Sequence, residues 1–528
     1  MGAALLALLP AAALAQFSAP KLDFTADQLA LARAVAPDPG LASWYGQRAL
    51  APVFAGPQAA ARRAALIAAV ETAPAHGLPA ARYGLDRLRA LDRPDSPAVR
   101  VEAAFARSFA AWAHDVQGGV LTPRRIDSTN RREVIRTPVD DLLARFAAAS
   151  DPASVLAQLP PRDPRYRILQ QALADEDGLS APEGTAPVPP GTWREGLRGD
   201  GVAALRARLA SVGFGADSAD PALFDPALTD AVARFQDRAG LPADGVAGPR
   251  TIARLNQGRG ARTRALMIAL ERMRWLNGHD LAARHVWVNL PEYTARIVEG
   301  GRTVFQTRVV IGKTDHAMQT PEFSDQMEHV VVNPRWNVPR SITVKEYLPR
   351  LKANRNAARH LDVIDGRGRV VSRDGIDFGR YTAANFPFRL RQKPSDDNAL
   401  GEVKFIFPNP MNIYLHDTPS RGLFNETRRA FSHGCIRVAR PVDLAHELLR
   451  GQVADPPARY ARARASGKES WLKLDRTVPV HLVYFTLIPD EDGTLRSYPD
   501  VYGRDAAVWA GLERAGAAGA LETVALAE

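Results

Sequence analysis

Four prolines and two glycines crowd the eleven residues from 181 to 191. Proline removes a backbone donor and fixes φ, so neither a helix nor a central strand can run through this stretch. The chain is therefore cut there, and the pieces on either side follow different hydrophobic periods. Upstream, from about 22 to 180, Ala, Leu and Arg dominate at helical spacing. Val101, Phe105, Phe109 and Trp112 fall three and four residues apart, on one face of a helix. Downstream of about 284 the period becomes two, as in 285–290 and 304–311, with shorter apolar runs at 329–332, 403–407 and 412–416 and a last strong one at 478–487. A chain of 528 residues also exceeds what one hydrophobic core usually supports. The expected architecture is multidomain α+β. It comprises an all-α N-terminal domain (22–180), a Pro/Gly linker (181–192), a small helical module (193–258), a β-rich domain (262–490) and a C-terminal tail (491–528).

Residues 1–15 carry no charge and end Ala13-Leu14-Ala15, the small-residue pattern of a signal peptidase site. An exported, periplasmic protein is expected, cleaved before Gln16, with an uncleaved N-terminal anchor as the alternative. The net charge is +10. Residues 340–397 hold thirteen Lys/Arg against seven Asp/Glu. Export argues against nucleic acid as the partner, so a polyanionic or carboxylate-rich extracellular one is expected. An ordinary solvated basic surface explains many of the same residues. The 340–397 stretch interrupts the strands and reads as a partly helical insertion, either a mobile cover over a site or a peripheral subdomain.

Cys435 is the only cysteine of the chain. It cannot form an internal disulfide or a multi-cysteine zinc site, and it lies in Ser432-His433-Gly434-Cys435-Ile436-Arg437. Such neighbours suit a nucleophile better than an inert thiol. Nineteen residues upstream, a strand over 412–416 would point Ile413 and Leu415 one way and Tyr414 and His416 the other, toward a common site. A neighbouring imidazole is expected to lower the thiol pKa and hold a thiolate at neutral pH. Gly434 permits a tight turn whose N–H groups could form an oxyanion hole. Arg437 suits bidentate capture of a carboxylate, or a structural ion pair. A zinc site built from His416, His433 and Cys435 would lack a supporting ligand cluster.

The spacing His416 to Ser432-His433-Gly434-Cys435-Ile436-Arg437 resembles the signature of the L,D-transpeptidase catalytic domain, the YkuD family. The strings at 288–291, 320–324, 333–339 and 414–419 agree with it. Residues 193–257, with Gly199, Gly201, Phe224, Asp225, Phe235, Gln236, Gly240, Asp244, Gly245, Gly248 and Thr251, resemble the three-helix peptidoglycan-binding module of cell-wall enzymes. The whole is similar to the large periplasmic YcbB-type members of the family. The resemblance implies Cys435 as nucleophile, His416 as general base, and Asp417 orienting the imidazole through its backbone carbonyl, although an Asp there also suits a turn. It implies that Tyr414, His433 and Gly434 line the oxyanion site, and that Arg437 and Ser432 hold the motif or the donor. No cofactor or metal is implied. The implied substrates are peptidoglycan stem peptides, a tetrapeptide donor and a diaminopimelate acceptor, with carbapenem-type β-lactams as inhibitors. A water acceptor (L,D-carboxypeptidase), a lipoprotein acceptor and a non-catalytic wall-binding scaffold are the alternatives.

Overall fold

The computed structural model describes residues 24–176, 185–256 and 259–518. The expected signal segment at 1–15 and the first residues of the linker lie outside them. Among the described residues, no helix is long and apolar enough to cross a membrane.

Helices occupy the N-terminal domain from Ala26 to Glu176. The long helix Ala98–Gly118 buries Val101, Phe105, Phe109, Trp112 and Val116, and Phe54, Phe105, Phe109 and Phe146 cluster in its core. Glu102, Ser108, Asp115 and Gln117 are the polar side chains that it buries. The Glu102 carboxylate accepts from the backbone N–H groups of Val53, Phe54 and Ala55 at 2.8, 2.7 and 2.7 Å and from the Tyr45 hydroxyl. A carboxylate saturated in this way is tolerated in a core.

The module that follows is three helices, Asp200–Ser211, Pro226–Arg238 and Pro249–Asn256, around Val202, Leu205, Leu209, Leu228, Val232, Phe235 and Ile252. Its polar motif residues tie one knot. Gln236 donates to Asp244 Oδ1, the Val246 carbonyl and Thr251 Oγ1, and accepts from Gly245 N–H. The expected linker is shorter than its composition indicates. Val188 is buried in the module core and its backbone is clamped by the Asn256 side chain at 2.7 Å in both directions. A single apolar residue with a matched amide clamp is enough to dock a Pro-rich segment.

The C-terminal part holds β1 (His285–Asn289), β2 (Thr294–Glu299), β3 (Arg302–Gly312), β4 (Phe323–Val332), β5 (Trp336–Asn337), β6 (Leu361–Ile364), β7 (Val370–Val371), β8 (Arg389–Gln392), β9 (Val403–Ile406), β10 (Leu415–His416), β11 (Ala430–Ser432), β12 (Ile436–Val438), β13 (Ser470–Val483), β14 (Leu487–Pro489) and β15 (Leu495–Ser497). The main sheet runs β11-β3-β12-β10-β9-β4-β13-β1-β2 and closes on itself through β2 and β3. Closure removes exposed edges. Its interior is filled by Val286, Val288, Ile311, Val330, Phe405, Leu415, Ile436 and Leu482, and helix Pro441–Leu449 packs Leu444 and Leu448 against the same core.

Three expectations change here. The insertion is an α+β subdomain that begins at β5 rather than at 340. Strands β5-β8-β6-β7 form its own sheet over a separate core that includes Ile342, Leu348, Leu361, Val363, Phe378 and Leu390. The strand foreseen at 412–416 shortens to β10, because Asn412 takes φ +54° and the Asn409 amide ties the Phe407 and Ile413 carbonyls into a turn. The C-terminal tail, as far as residue 518, is built into the fold. β15 pairs with β14, and helix Arg504–Arg514 sets Trp509 and Leu512 against Met267, Ile268 and Trp275.

Helix Arg259–Arg274 joins the pieces. On it Glu271, fully buried, accepts from the backbone N–H groups of Val120 and Leu121 and pairs with Arg274 at 2.7 Å, while Trp275 Nε1 donates to it at 3.1 Å. Arg274 in turn donates to the His76 carbonyl and the Tyr166 hydroxyl. Removing the acid strands a buried guanidinium and two amides. Glu271→Ala should cost about 3–5 kcal/mol of stability, read as a lowered denaturation midpoint of the helical and catalytic parts together. Retention of the wild-type midpoint would show that the hub is dispensable.

Candidate active site

Strands β10 and β12 run parallel, pairing Leu415 with Ile436 and His416 with Arg437. Paired positions share a face of the sheet, and alternation does the rest. Ile413, Leu415, Ile436 and Val438 go into the core. Tyr414, His416, Cys435 and Arg437 all line one cleft of about 870 Å³. The motif and the upstream histidine therefore meet through strand pairing.

The imidazole of His416 is buried, and its Nδ1 lies 2.5 Å from the Asp417 carbonyl oxygen. A carbonyl only accepts, so Nδ1 carries the proton and Nε2 is left as the basic nitrogen. Burial first, then the neighbouring Arg437 guanidinium, lowers its pKa to about 3, with the Asp417 carbonyl opposing. The side chain of Asp417 does separate work. Its oxygens accept from Glu402 N–H and Thr418 N–H at 2.9 and 2.6 Å and pair with Arg421 at 2.6 Å. Gly401 is required there, because a Cβ at that position would come within 2.1 Å of Asp417 Oδ2.

Cys435 is half-buried, and its thiol faces the Asn412 carbonyl at 3.7 Å. Burial pushes the thiol up to about 11, against hydrogen bonds from the Tyr414 backbone and hydroxyl and the field of Arg437. The expectation of a resting thiolate is thus corrected. Both partners are neutral, because burial penalises each charged form and Arg437 penalises the imidazolium. Tyr414 sits edge-on to His416, with ring centroids 5.7 Å apart, and its hydroxyl bears on the sulfur.

The turn before Cys435 uses several groups that the sequence suggested for ligands. Ser432, buried, donates to the Cys435 carbonyl at 2.5 Å and accepts from Gly434 N–H at 3.1 Å. Its hydroxyl proton is therefore spent on the loop and not on a bound molecule, and the Gly434 N–H is likewise engaged. The Cys435 N–H has no acceptor among the described residues. His433 is exposed at the wall of the same cleft, with Nε2 2.6 Å from Glu346 of the insertion. Arg437 has no acidic partner among the described residues, and its Nε is buried without an acceptor. A guanidinium in that position has donors available for an anion.

Two further elements line the cleft, the insertion, which the sequence offered as a cover, and a segment of the helical domain, which it did not. Trp336, Arg340, Tyr347 and His360 belong to the insertion. Ser128, Thr129 and Arg131 come from the helical domain, held there because Arg131 N–H donates to the Glu322 carbonyl and Glu322 N–H donates to the Thr129 carbonyl. No local periodicity marks such residues, since their position depends on docking between distant segments. A larger cleft of about 1640 Å³ separates the helical domain from β2 and the β14–β15 hairpin, and it holds neither Cys435 nor His416.

Comparison with known proteins follows this geometry. Residues 283–456 match the YkuD family model, described as an L,D-transpeptidase catalytic domain. Residues 39–173 match a scaffold domain, and 198–255 a "Putative peptidoglycan binding domain". A Haemophilus influenzae protein named "Putative L,D-transpeptidase" is 36% identical over 222 residues, 42% of this chain and 44% of that protein. The "Zinc D-Ala-D-Ala carboxypeptidase" of Streptomyces albus G is 46% identical over 68 residues, 13% of this chain and 27% of its own. The chain thus spans less than half the length of these curated relatives. Among solved structures, an L,D-transpeptidase from Xylanimonas cellulosilytica is 17% identical, covering 56% of this chain and all of its own at a TM-score of 0.17. That score is too low to bear on the fold. Residues 283–456 thus match an L,D-transpeptidase catalytic domain, with scaffold-type and peptidoglycan-binding-type matches at 39–173 and 198–255 beside them.

Proposed function

We propose that the protein is an exported peptidoglycan L,D-transpeptidase that forms 3→3 cross-links through a thioester on Cys435. The observation that carries this reading is the shared face of β10 and β12, with the thiol, a neutral imidazole of defined tautomer and an unpaired guanidinium in one cleft. In the first step the Cys435 sulfur attacks the carbonyl carbon of the third stem residue while its proton passes to His416 Nε2. The free Cys435 N–H and the Tyr414 hydroxyl are the donors nearest the developing oxyanion. Collapse breaks the bond to D-alanine, whose nitrogen takes the proton from His416. In the second step the side-chain amine of a neighbouring diaminopimelate attacks the thioester, passes a proton to His416, and the thiol is restored. Splitting one acyl transfer into two lowers each barrier.

A neutral pair makes His416 a general base rather than the partner of a preformed thiolate, and Arg437 is free to take the stem carboxylate. The other modules agree with a wall substrate. The module around Gln236 matches a peptidoglycan-binding family, and the insertion stands over the mouth of the cleft, joined to the nucleophile turn by Glu346 and His433. Such a cover would exclude water from the thioester and favour an amine acceptor over hydrolysis. Carbapenem-type β-lactams would acylate the same sulfur.

Three outcomes are expected. Disaccharide-tetrapeptide incubated with the protein should give a dimer lacking one D-alanine by mass spectrometry. Cys435→Ala should abolish it, and His416→Ala should reduce it by about 10²–10⁴-fold; tripeptide alone would identify a carboxypeptidase. Second, iodoacetamide alkylation of Cys435 should climb with pH well past 8, because the thiolate fraction grows toward a pKa of about 11, and no acid limb near 6.5 should appear, because His416 stays neutral down to about 3. Fast, pH-independent alkylation between pH 5 and 8 would mean a resting ion pair instead. Third, replacing the insertion by a short loop should raise the ratio of hydrolysis to cross-linking, and an unchanged ratio would remove its role as a cover.

A further inference from the structure

Arg504 lies beyond the matched catalytic domain, at the start of helix Arg504–Arg514, yet its guanidinium is buried beneath the nucleophile turn. It pairs with Glu322 at 3.0 Å and with Asp127 of the helical domain at 3.0 Å. Its Nη2 donates to Thr129 Oγ1 at 2.7 Å and to the Thr320 carbonyl at 3.0 Å. The rings of Tyr484 and Tyr502 flank it, 4.9 and 4.8 Å from the guanidinium carbon. Four stretches of the chain, around 127–129, 320–322, 484 and 502–504, thus meet at one side chain.

From Thr320 the contacts lead straight to the nucleophile. The Thr320 hydroxyl donates to the Gly434 carbonyl at 2.8 Å and accepts from Gly312 N–H at 2.9 Å. Tyr502 supports the same loop, its hydroxyl donating to the Gly312 carbonyl at 2.7 Å and receiving Thr320 N–H at 3.3 Å. The approach is so close that a Cβ on Gly312 would fall 2.1 Å from the Met318 carbonyl oxygen. Gly434 has φ +110°, a conformation that glycine adopts without strain. Such a residue gains its orientation from what holds its carbonyl. In a trans peptide the carbonyl and the following N–H point in opposite directions. Holding the Gly434 carbonyl toward Thr320 therefore turns the Cys435 N–H away from Thr320, where it has no acceptor among the described residues.

We propose that Arg504 is a positioning residue for the nucleophile turn. Acting through Thr320, it fixes the Gly434–Cys435 peptide plane and aims the Cys435 N–H at the oxyanion of the reacting acyl group. The C-terminal segment and the helical domain thereby complete a site whose chemical groups all lie between 414 and 437. This rests on Cys435 being the nucleophile, but not on the identity of the acyl donor.

Acylation passes through a tetrahedral oxyanion, whereas alkylation by iodoacetamide is a displacement at saturated carbon and forms none. The two probes therefore separate aim from general integrity. In the full-length protein, Arg504→Gln and Thr320→Val should each slow acylation of Cys435 by p-nitrophenyl acetate, followed as nitrophenolate release, by about 10–100-fold, since loss of an oxyanion donor costs up to ~10³-fold. Iodoacetamide alkylation should stay within about twofold of wild type, a margin set by the absence of an oxyanion from that displacement. The double variant should be no slower than the worse single one, because both act on one path. Where stem peptide is turned over, kcat should fall and KM should hold. If Arg504→Gln does not fold, Thr320→Val and Tyr502→Phe, which delete only a hydroxyl, decide the matter. Folded variants with unchanged acylation, or with acylation and alkylation reduced alike, would overturn the proposal. Failure of wild type to act on stem peptide while it still acylates with the ester would count against the proposed substrate alone.

Discussion

The parallel pairing of β10 with β12 is the constraint on which the site depends. Two hydrogen-bonded residue pairs, Leu415 with Ile436 and His416 with Arg437, bring a histidine and a cysteine nineteen residues apart onto one face. A slip of one residue in either strand would send a catalytic side chain into the core and bring Leu415 or Ile436 into the cleft. That register is protected by burial, since Ile413, Leu415, Ile436 and Val438 are all sealed in the barrel interior. The rest of the molecule is arranged around this pairing. The Asn409 clamp fixes the approach to β10, Asp417 fixes its exit, and Ser432 and Thr320 fix the turn ahead of β12.

Burial that secures the register also sets the chemistry. In water a thiol, with a pKa of ~8.5, already keeps its proton beside an imidazole at ~6.5, and here burial widens that gap because neither partner is stabilised as an ion. The thiol is raised, the imidazole is lowered, and Arg437 favours the thiolate while opposing the imidazolium. The thiol and imidazole are consequently at rest uncharged, beside the charged Arg437. A carboxylate bound there would offset the larger of the two fields, Arg437 and Lys404, that oppose imidazolium, so binding itself would ease proton transfer to His416.

Much of this was legible in the residues. Helical spacing around Val101 and Phe109, the strands at 285–290 and 478–487, and the Cys435 motif all depend on local pattern, and local pattern survives into the fold because each segment buries its own apolar face. Two departures share a cause: composition reads Val188 as linker and the C-terminal segment as tail, yet each is held by contacts from far away, the Asn256 amide in one case and the Met267–Trp275 face in the other. Asn412 broke a strand that its apolar neighbours suggested, because a side-chain clamp and a left-handed φ outweigh alternation.

By itself the sequence determined the period of each segment, the break near residue 181 and the types of side chain available for acyl transfer, since these follow from spacing and side-chain chemistry. Only the tertiary structure decided which of those groups stay free. Ser432 and the Gly434 N–H are consumed in the turn, Arg437 has no acidic partner among the described residues, the thiol and imidazole are held neutral, and Ser128, Thr129, Arg340 and Arg504 are brought to the cleft or beneath it. Those outcomes depend on desolvation and on hydrogen-bond competition between segments hundreds of residues apart, and neither quantity exists until the chain has packed.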